Sequence, residues 1–211
     1  DFVRTIADRT REAISRIRAE QEQQVLNHEI SHRLKNTMAM VQAIATQTLR
    51  PVTDRAPVEA FVSRLHALSK AHEVLLNHDW SSARMMTVID SVLRQLSLPD
   101  RYRLSGSDLE IGPRTALSLG LLMHELGTNA LKYGAWSSDA GKVIVTWRVE
   151  PVGGDSTLVV EWDEQDGPPV VLPSGKGFGS KLIRMGLLGT GGVEINYDPD
   201  GLRVTMQALV S

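Results

Sequence analysis

Apolar or small residues at Leu26, Ile30, Thr37, Val41, Ile44 and Thr48 recur at intervals of three, four or seven. That spacing lays one buried stripe along a helix in a bundle. Upstream, residues 1–27 contain neither glycine nor proline and set Phe2, Ile6, Ala13, Ile14 and Ile17 at helical intervals. So narrow a stripe suits a coiled coil or a connector. The two stretches read as one long helix ending at Arg50-Pro51, because the residue before a proline avoids the helical region. A second amphipathic helix follows the short connection from Pro51 to Pro57, with Phe61, Leu65, Leu68, Val74 and Leu75 inward. Two long helices with so short a link form an antiparallel hairpin.

The pattern changes at Trp80-Ser81-Ser82. Met85 to Leu96 has helical spacing, and short β-prone pieces, Arg101 to Leu104 and Leu109 to Ile111, lead to Gly112-Pro113. Pro113 suits a helix start, where its missing N–H costs nothing. The helix it opens, Arg114 to Tyr133, is apolar nearly all round and is therefore expected to be buried. Val143 to Val149 and Thr157 to Trp162 alternate like strands. A Gly/Pro loop from Asp166 to Gly179 leads into a helix from Ser180 to Leu188. Val193 to Tyr197 and Leu202 to Leu209 are joined by the hairpin signal Asp198-Pro199-Asp200-Gly201. The fold class is α+β: a helical hairpin, then an α/β sandwich with helices on one face of a mixed or antiparallel sheet. The expected division is a connector over 1–24, the hairpin over 25–79 and the α/β domain over 80–211.

Composition narrows the functions. The 211 residues are 42% hydrophobic and 23% charged, which is ordinary for a globular protein. The formal net charge is −2, and no Lys/Arg block is dense enough to track a nucleic-acid backbone. Without cysteine there are no disulfides or thiolate metal sites. The longest apolar run, near Ala116 to Met123, is too short to span a bilayer. The chain begins at Asp1 without methionine, so an excised, cytosolic portion of a larger protein is expected.

His32 falls off the apolar stripe of its helix, with Glu29, Lys35 and Asn36 three or four residues away on its own face. An exposed imidazole beside a carboxylate and cations suits a nucleophile accepting a phosphoryl group, although taken alone His32 reads more readily as an ordinary surface histidine. The buried helix carries a second constellation: His124, Glu125, Thr128, Asn129 and Lys132 form one polar stripe. Burying them costs desolvation unless something polar meets them. Either they face open solvent, or they line a cleft in which Asn129 and Glu125 hold a magnesium ion and Lys132 faces phosphate. Two loops favour the cleft. Trp162-Asp163-Glu164-Gln165-Asp166-Gly167-Pro168-Pro169 ends a strand with acids able to accept a hydrogen bond from an adenine amino group. Gly175-Lys176-Gly177-Phe178-Gly179-Ser180 opens a helix, and glycines there let backbone N–H groups approach phosphate oxygens.

Over nearly everything after residue 25 the chain resembles a sensor histidine kinase of the HWE type: a phosphoacceptor hairpin plus an ATP-binding domain of the Bergerat fold. His32-Arg33-x-Lys35-Asn36 is similar to the family's phosphoacceptor motif, and His124-Glu125-x-x-x-Asn129-Ala130-x-Lys132-Tyr133-Gly134 to its asparagine box. Trp162-x-Glu164 matches the family's W and E, and Gly177-Phe178-Gly179-x-Lys181-Leu182-Ile183 its last glycine box. His66-Ala67-Leu68 and Ala71-His72 resemble its second hairpin helix.

The resemblance implies ATP and Mg²⁺ as cofactors, with transfer to His32 and then to an aspartate of a response-regulator receiver domain. A hairpin with so little core of its own commonly pairs with a second copy, so a homodimer is expected, a monomer being the alternative; transfer would also need a hinge near Asn77 to Ser82, biased through the N-terminal helix by an upstream sensor. Glu29 would orient the imidazole or take its proton. Glu164 is preferred for the adenine contact over Asp166, which stands where the family has glycine; Trp162 would brace the adenine loop. His28-Glu29 resembles the His-Glu pair of commoner histidine kinases, so His28 is a rival acceptor. Two other functions remain in view: a Bergerat-type ATPase with Glu125 activating water, and a degenerate kinase that only binds receiver domains.

Overall fold

The computed structural model describes residues 2–76, 82–152, 155–170, 178–189 and 192–210. Helix α1 (Phe2–Thr48) meets α2 (Arg55–Leu76) across a tight turn. The Arg55 guanidinium donates to the carbonyl of Leu49 at 3.3 Å, and Asp54 accepts from the amide of Ala56 at 3.3 Å, so both helix ends find partners. Pro57 sits within the first turn of α2. Gln42 donates to Ser69 at 3.1 Å, and Lys35 further back lies near Glu73, so the helices run antiparallel.

The face of α1 turned to α2 is Met38, Gln42, Ala45 and Leu49, all half-buried. The stripe read from the sequence lies elsewhere: Ile30, Thr37, Val41, Ile44 and Thr48 are exposed. A second correction falls on α2, where Phe61 is 45% exposed and the buried residues are Val58, Ala67, Ala71, Val74 and Leu75. Both differences have one cause. Helix α2 packs more heavily on the helix Pro113–Lys132 than on α1, so its inward face is set by that partner. The approach relies on small residues, for a Cβ on Gly120 would lie 2.9 Å from that of Ala71.

In the α/β part, strand β1 (Ala83–Arg84) leads to α3 (Met85–Leu93), β2 (Tyr102–Gly106), β3 (Glu110–Ile111) and α4 (Pro113–Lys132). Then come β4 (Lys142–Val152), β5 (Asp155–Gln165), α5 (Phe178–Met185), β6 (Val193–Asp198) and β7 (Gly201–Val210). The main sheet has the order β2-β4-β5-β7-β6, with β2 parallel to β4 and the remaining pairs antiparallel. A separate ribbon pairs Ala83 with Ile111.

Strand alternation decides the layers. Val143, Val145 and Trp147, then Leu158, Val160 and Trp162, then Val204, Met206 and Ala208 are buried against α3 and α4. On the other face Arg148 pairs with Glu161 at 2.8 Å and Arg203 with Asp163 at 3.2 Å. The sheet is thus mixed, with helices on one face, as its pattern predicts. Pro113 occupies the first turn of α4. Helix α5 starts at Phe178 and stops at Met185, not at Leu188. Gly186 adopts a left-handed φ of 68°, a helix stop, and the amide of Leu188 is taken by the Ser118 hydroxyl at 3.0 Å.

Candidate nucleotide cleft and acceptor helix

A cavity of about 1240 Å³ opens between α4, the end of β5, the start of α5 and one face of α2. The polar stripe of α4 lines it whole: His124, Glu125, Thr128, Asn129 and Lys132. Glu125 and His124 are buried, whereas Lys132 is exposed and Asn129 half-buried.

One end of the cavity is built around Glu164. Its Oε2 accepts from the amide of Ala135 at 2.7 Å and its Oε1 from Trp162 Nε1 at 3.1 Å. Trp162 is fully buried and stands edge-on to Trp136, ring centres 5.9 Å apart. Trp136 Nε1 in turn donates to the carbonyl of Arg101 at 3.0 Å. Two N–H donors hold the carboxylate in place, while burial, the dominant influence, pushes its pKa above the usual 4.5. Gly134 closes over it, for a Cβ there would fall 1.9 Å from Oε2. Asp166 stands apart, exposed and at a φ of 56°, with its carbonyl accepting from Ser138 Oγ at 3.1 Å. Gly167 packs on the backbone of Ala135, and Tyr133, 74% exposed, lines the rim.

At the other end two residues of α2 reach in. Arg64 Nε donates to Glu125 Oε1 at 2.5 Å and Nη2 to Oε2 at 3.0 Å, a two-point ion pair. Ser63 Oγ lies 3.0 Å from His124 Nε2. Burial, reinforced by Arg64 and Lys132 against the pull of Glu125, lowers the His124 pKa from 6.5. Gly179 abuts the same carboxylate, since a Cβ there would lie 2.2 Å from Glu125 Oε2. Gly177 and the side chain of Phe178 lie outside the described residues, as do Gly175, Lys176 and the proposed hinge apart from Ser82.

His32 is exposed on α1, its Nδ1 3.3 Å from Asn36 Nδ2. Glu29 is engaged instead by Arg33, at 2.6 Å. The His28 side chain lies outside the described residues. Among the described residues no helix is long and apolar enough to cross a membrane.

Residues 29–108 match the model of the HWE histidine kinase family. The blue-light-activated histidine kinase of Brucella anthropi is 40% identical over 198 residues, which cover 92% of this chain and 40% of that protein. The protein of the same description from Brucella abortus is 39% identical over 173 residues, 80% of this chain and 35% of that protein. Over residues 29–108 the chain falls within the HWE histidine kinase family.

It spans well under half the length of these curated relatives. The fold is that of the Erythrobacter litoralis EL346 blue-light activated histidine kinase, with a TM-score of 0.54 and 19% identity over 86% of this chain and 58% of that one. The separate histidine kinase domain of that protein gives a TM-score of 0.52 at 19% identity, covering 89% of this chain and 92% of that one.

Of the three residues expected to supply the family's H, W and E, namely His124, Trp162 and Glu164, the last two are in direct contact. Ser63 and Arg64, which the sequence reading passed over, complete the cavity wall. A signal for Arg64 exists in hindsight: it is a charge on the same helical face as Ala60, Ala67 and Ala71.

Proposed function

We propose that this chain is the phosphotransfer core of a two-component sensor kinase. It binds ATP with magnesium in the cleft, moves the γ-phosphoryl group to His32 and passes it to an aspartate of a response-regulator receiver domain. The observation that supports this best is one cavity holding a buried, doubly anchored acid at one end and Asn129, Lys132 and Gly179 towards the other, in a chain whose hairpin exposes His32.

At the adenine end, Glu164 Oε1 and Oε2 keep acceptor capacity beyond the two N–H groups that fix them, and an exocyclic amine would use it. At the phosphate end, Lys132 and the amides around Gly177 and Gly179 would meet the anion. Among the described residues no group of three or more acids and histidines could hold a cation unaided. Magnesium fits Asn129 through its amide oxygen, with Glu125 joining once Arg64 lets go; it would neutralise charge on the transferring phosphoryl oxygens.

His32 needs its lone pair on the nitrogen that attacks. An amide presents N–H or C=O at nearly the same place. With its oxygen towards the ring, Asn36 would hold a proton on Nδ1 and leave Nε2 nucleophilic and open to solvent. The transfer forms a P–N bond at Nε2 and breaks the bond between the γ-phosphorus and the β–γ bridging oxygen, releasing ADP. Glu29, bound to Arg33, is better placed to hold the helix surface than to take the proton.

The exposed stripe Ile30, Val41 and Ile44 is apolar surface that a second copy of the hairpin would cover, with the connector joined to an upstream sensor. The hydrolase alternative is not favoured, because a carboxylate paired with a guanidinium is a weak base for water. Labelling with γ-phosphate-labelled ATP tests the proposal. Acid-labile, base-stable label should form on the wild type and on His28→Ala and vanish from His32→Ala; normal labelling of His32→Ala would overturn it.

A further inference from the structure

The hairpin contributes more than an acceptor. Positions 56, 59, 60, 63 and 64 of α2 form one helical face, and that face walls the cavity. It continues downwards as Ala67, Ala71, Val74 and Leu75, the buried seam against the α/β part. The same side of one helix thus seals the core below and meets the phosphate end of the cleft above.

We propose that Arg64 is a phosphate-reading residue that α2 lends to the nucleotide cleft, held on Glu125 until a triphosphate and its cation arrive. The inference rests on the reading of the cleft as an ATP site. Three observations carry it. Arg64 and Glu125 are unequally buried, with side-chain exposures of 25% and 4%, so the guanidinium is the partner that opens onto the cavity. The fork of the ion pair, Nε and Nη2 on the two carboxylate oxygens, is the arrangement a guanidinium also offers to phosphate. A Cβ on Gly179 would lie 3.6 Å from Arg64 Nη2, so the glycine opening of α5 and the guanidinium share one small volume.

The chemistry is an exchange of partners. Glu125 and Asn129 would together hold the cation, and the guanidinium so released would turn to the oxygens of the terminal phosphate. Charge stays matched on both sides, so neither buried group is stranded. ADP, one phosphate shorter, lacks the group that Arg64 would take. The exchange ties α2, and with it the hairpin, to the phosphate that is to be transferred.

The test is calorimetric binding of magnesium β,γ-imido-ATP and of ADP to the 211-residue chain. Wild type, Arg64→Lys and Arg64→Gln are compared, and because Gln at 64 leaves a buried carboxylate alone, Glu125→Gln is compared with Glu125→Gln/Arg64→Gln. The expected result is that the preference for the triphosphate over ADP falls roughly tenfold in both Gln comparisons and less in Arg64→Lys, as loss of one charge-assisted contact predicts. Hydrogen exchange along α2 should slow with the triphosphate analogue only. An equal change in both affinities, or a preserved preference, overturns the inference while leaving the ATP site standing. Failure of the wild type to bind either nucleotide overturns the reading of the cleft, and the inference with it.

Discussion

Replacing Trp162 by phenylalanine should destabilise the chain in a pH-dependent way, because the indole has two separable roles. It fills the core beside Trp136, and its Nε1 donates to the buried Glu164 carboxylate at 3.1 Å. Trading indole for phenyl in a fully buried site leaves a small void, a cost of about 1–2 kcal/mol. The lost hydrogen bond adds about 0.5–1.5 kcal/mol when the acceptor is neutral and about 1.5–3 kcal/mol when it is charged.

The pH course follows from Glu164. Burial raises its folded pKa above the usual 4.5, while the two N–H donors pull it down. Its contribution to stability is therefore full below pH 4.5 and is lost as pH rises through the raised folded value. Without the indole donor the folded pKa climbs further, so the ionised form becomes costlier in the variant. The deficit of Trp162→Phe should grow from about 1.5–3.5 kcal/mol near pH 4 to about 2.5–5 kcal/mol near pH 8. Near pH 8 that corresponds to a melting point lower by roughly 5–20 °C. Urea unfolding of both proteins at the two pH values measures it. A deficit equal at both, or below about 1 kcal/mol at pH 8, would refute the role of the indole as the carboxylate's donor.

Two further predictions follow from the packing and the buried histidine. Gly120→Val should cost about 1–3 kcal/mol by overpacking against Ala71, and Ala71→Gly in the same chain should recover part of the loss, read by unfolding and by exchange of the α2 amides. His124, lowered from 6.5 by burial, contributes stability above pH 6.5 that is lost as pH falls towards its folded value, so His124→Asn should flatten that acid limb in melting experiments from pH 7.5 to 5.

The sequence shows the α/β half more completely than the hairpin. Strand periodicity reports burial directly when one face meets helices, and Val143, Val145 and Trp147 obey it. The stripe from His124 to Lys132 was legible because polar groups on an apolar helix must face something polar, and all five line the cavity. Periodicity says that a face will be covered but not by which partner, so Ile30, Val41 and Ile44 stand exposed while Met38, Gln42 and Ala45 meet α2. Phe61 misled for the same reason. Glu29 and Asn36, three and four residues from His32, both share its helical face; Arg33, four residues beyond Glu29, claimed the carboxylate, a competition that spacing alone does not resolve. Arg64 shows in the sequence only as a charge on a face of small residues; its partner is 61 residues away, on an element whose docking only the fold reveals.

The two helices of the hairpin are mounted differently. One is bolted to the body through alanines and a glycine packed almost backbone to backbone. The other is a 47-residue rod whose contacts with its neighbour, among the described residues, lie towards its far end. Such a rod behaves as an axle in a bearing: torque applied at its first turns travels along an unbroken hydrogen-bonded ladder and swings the imidazole around the axis. The cleft need not be loosened for that to happen. A twist of α1 would re-aim His32 while the seam between α2 and the body stays as it is.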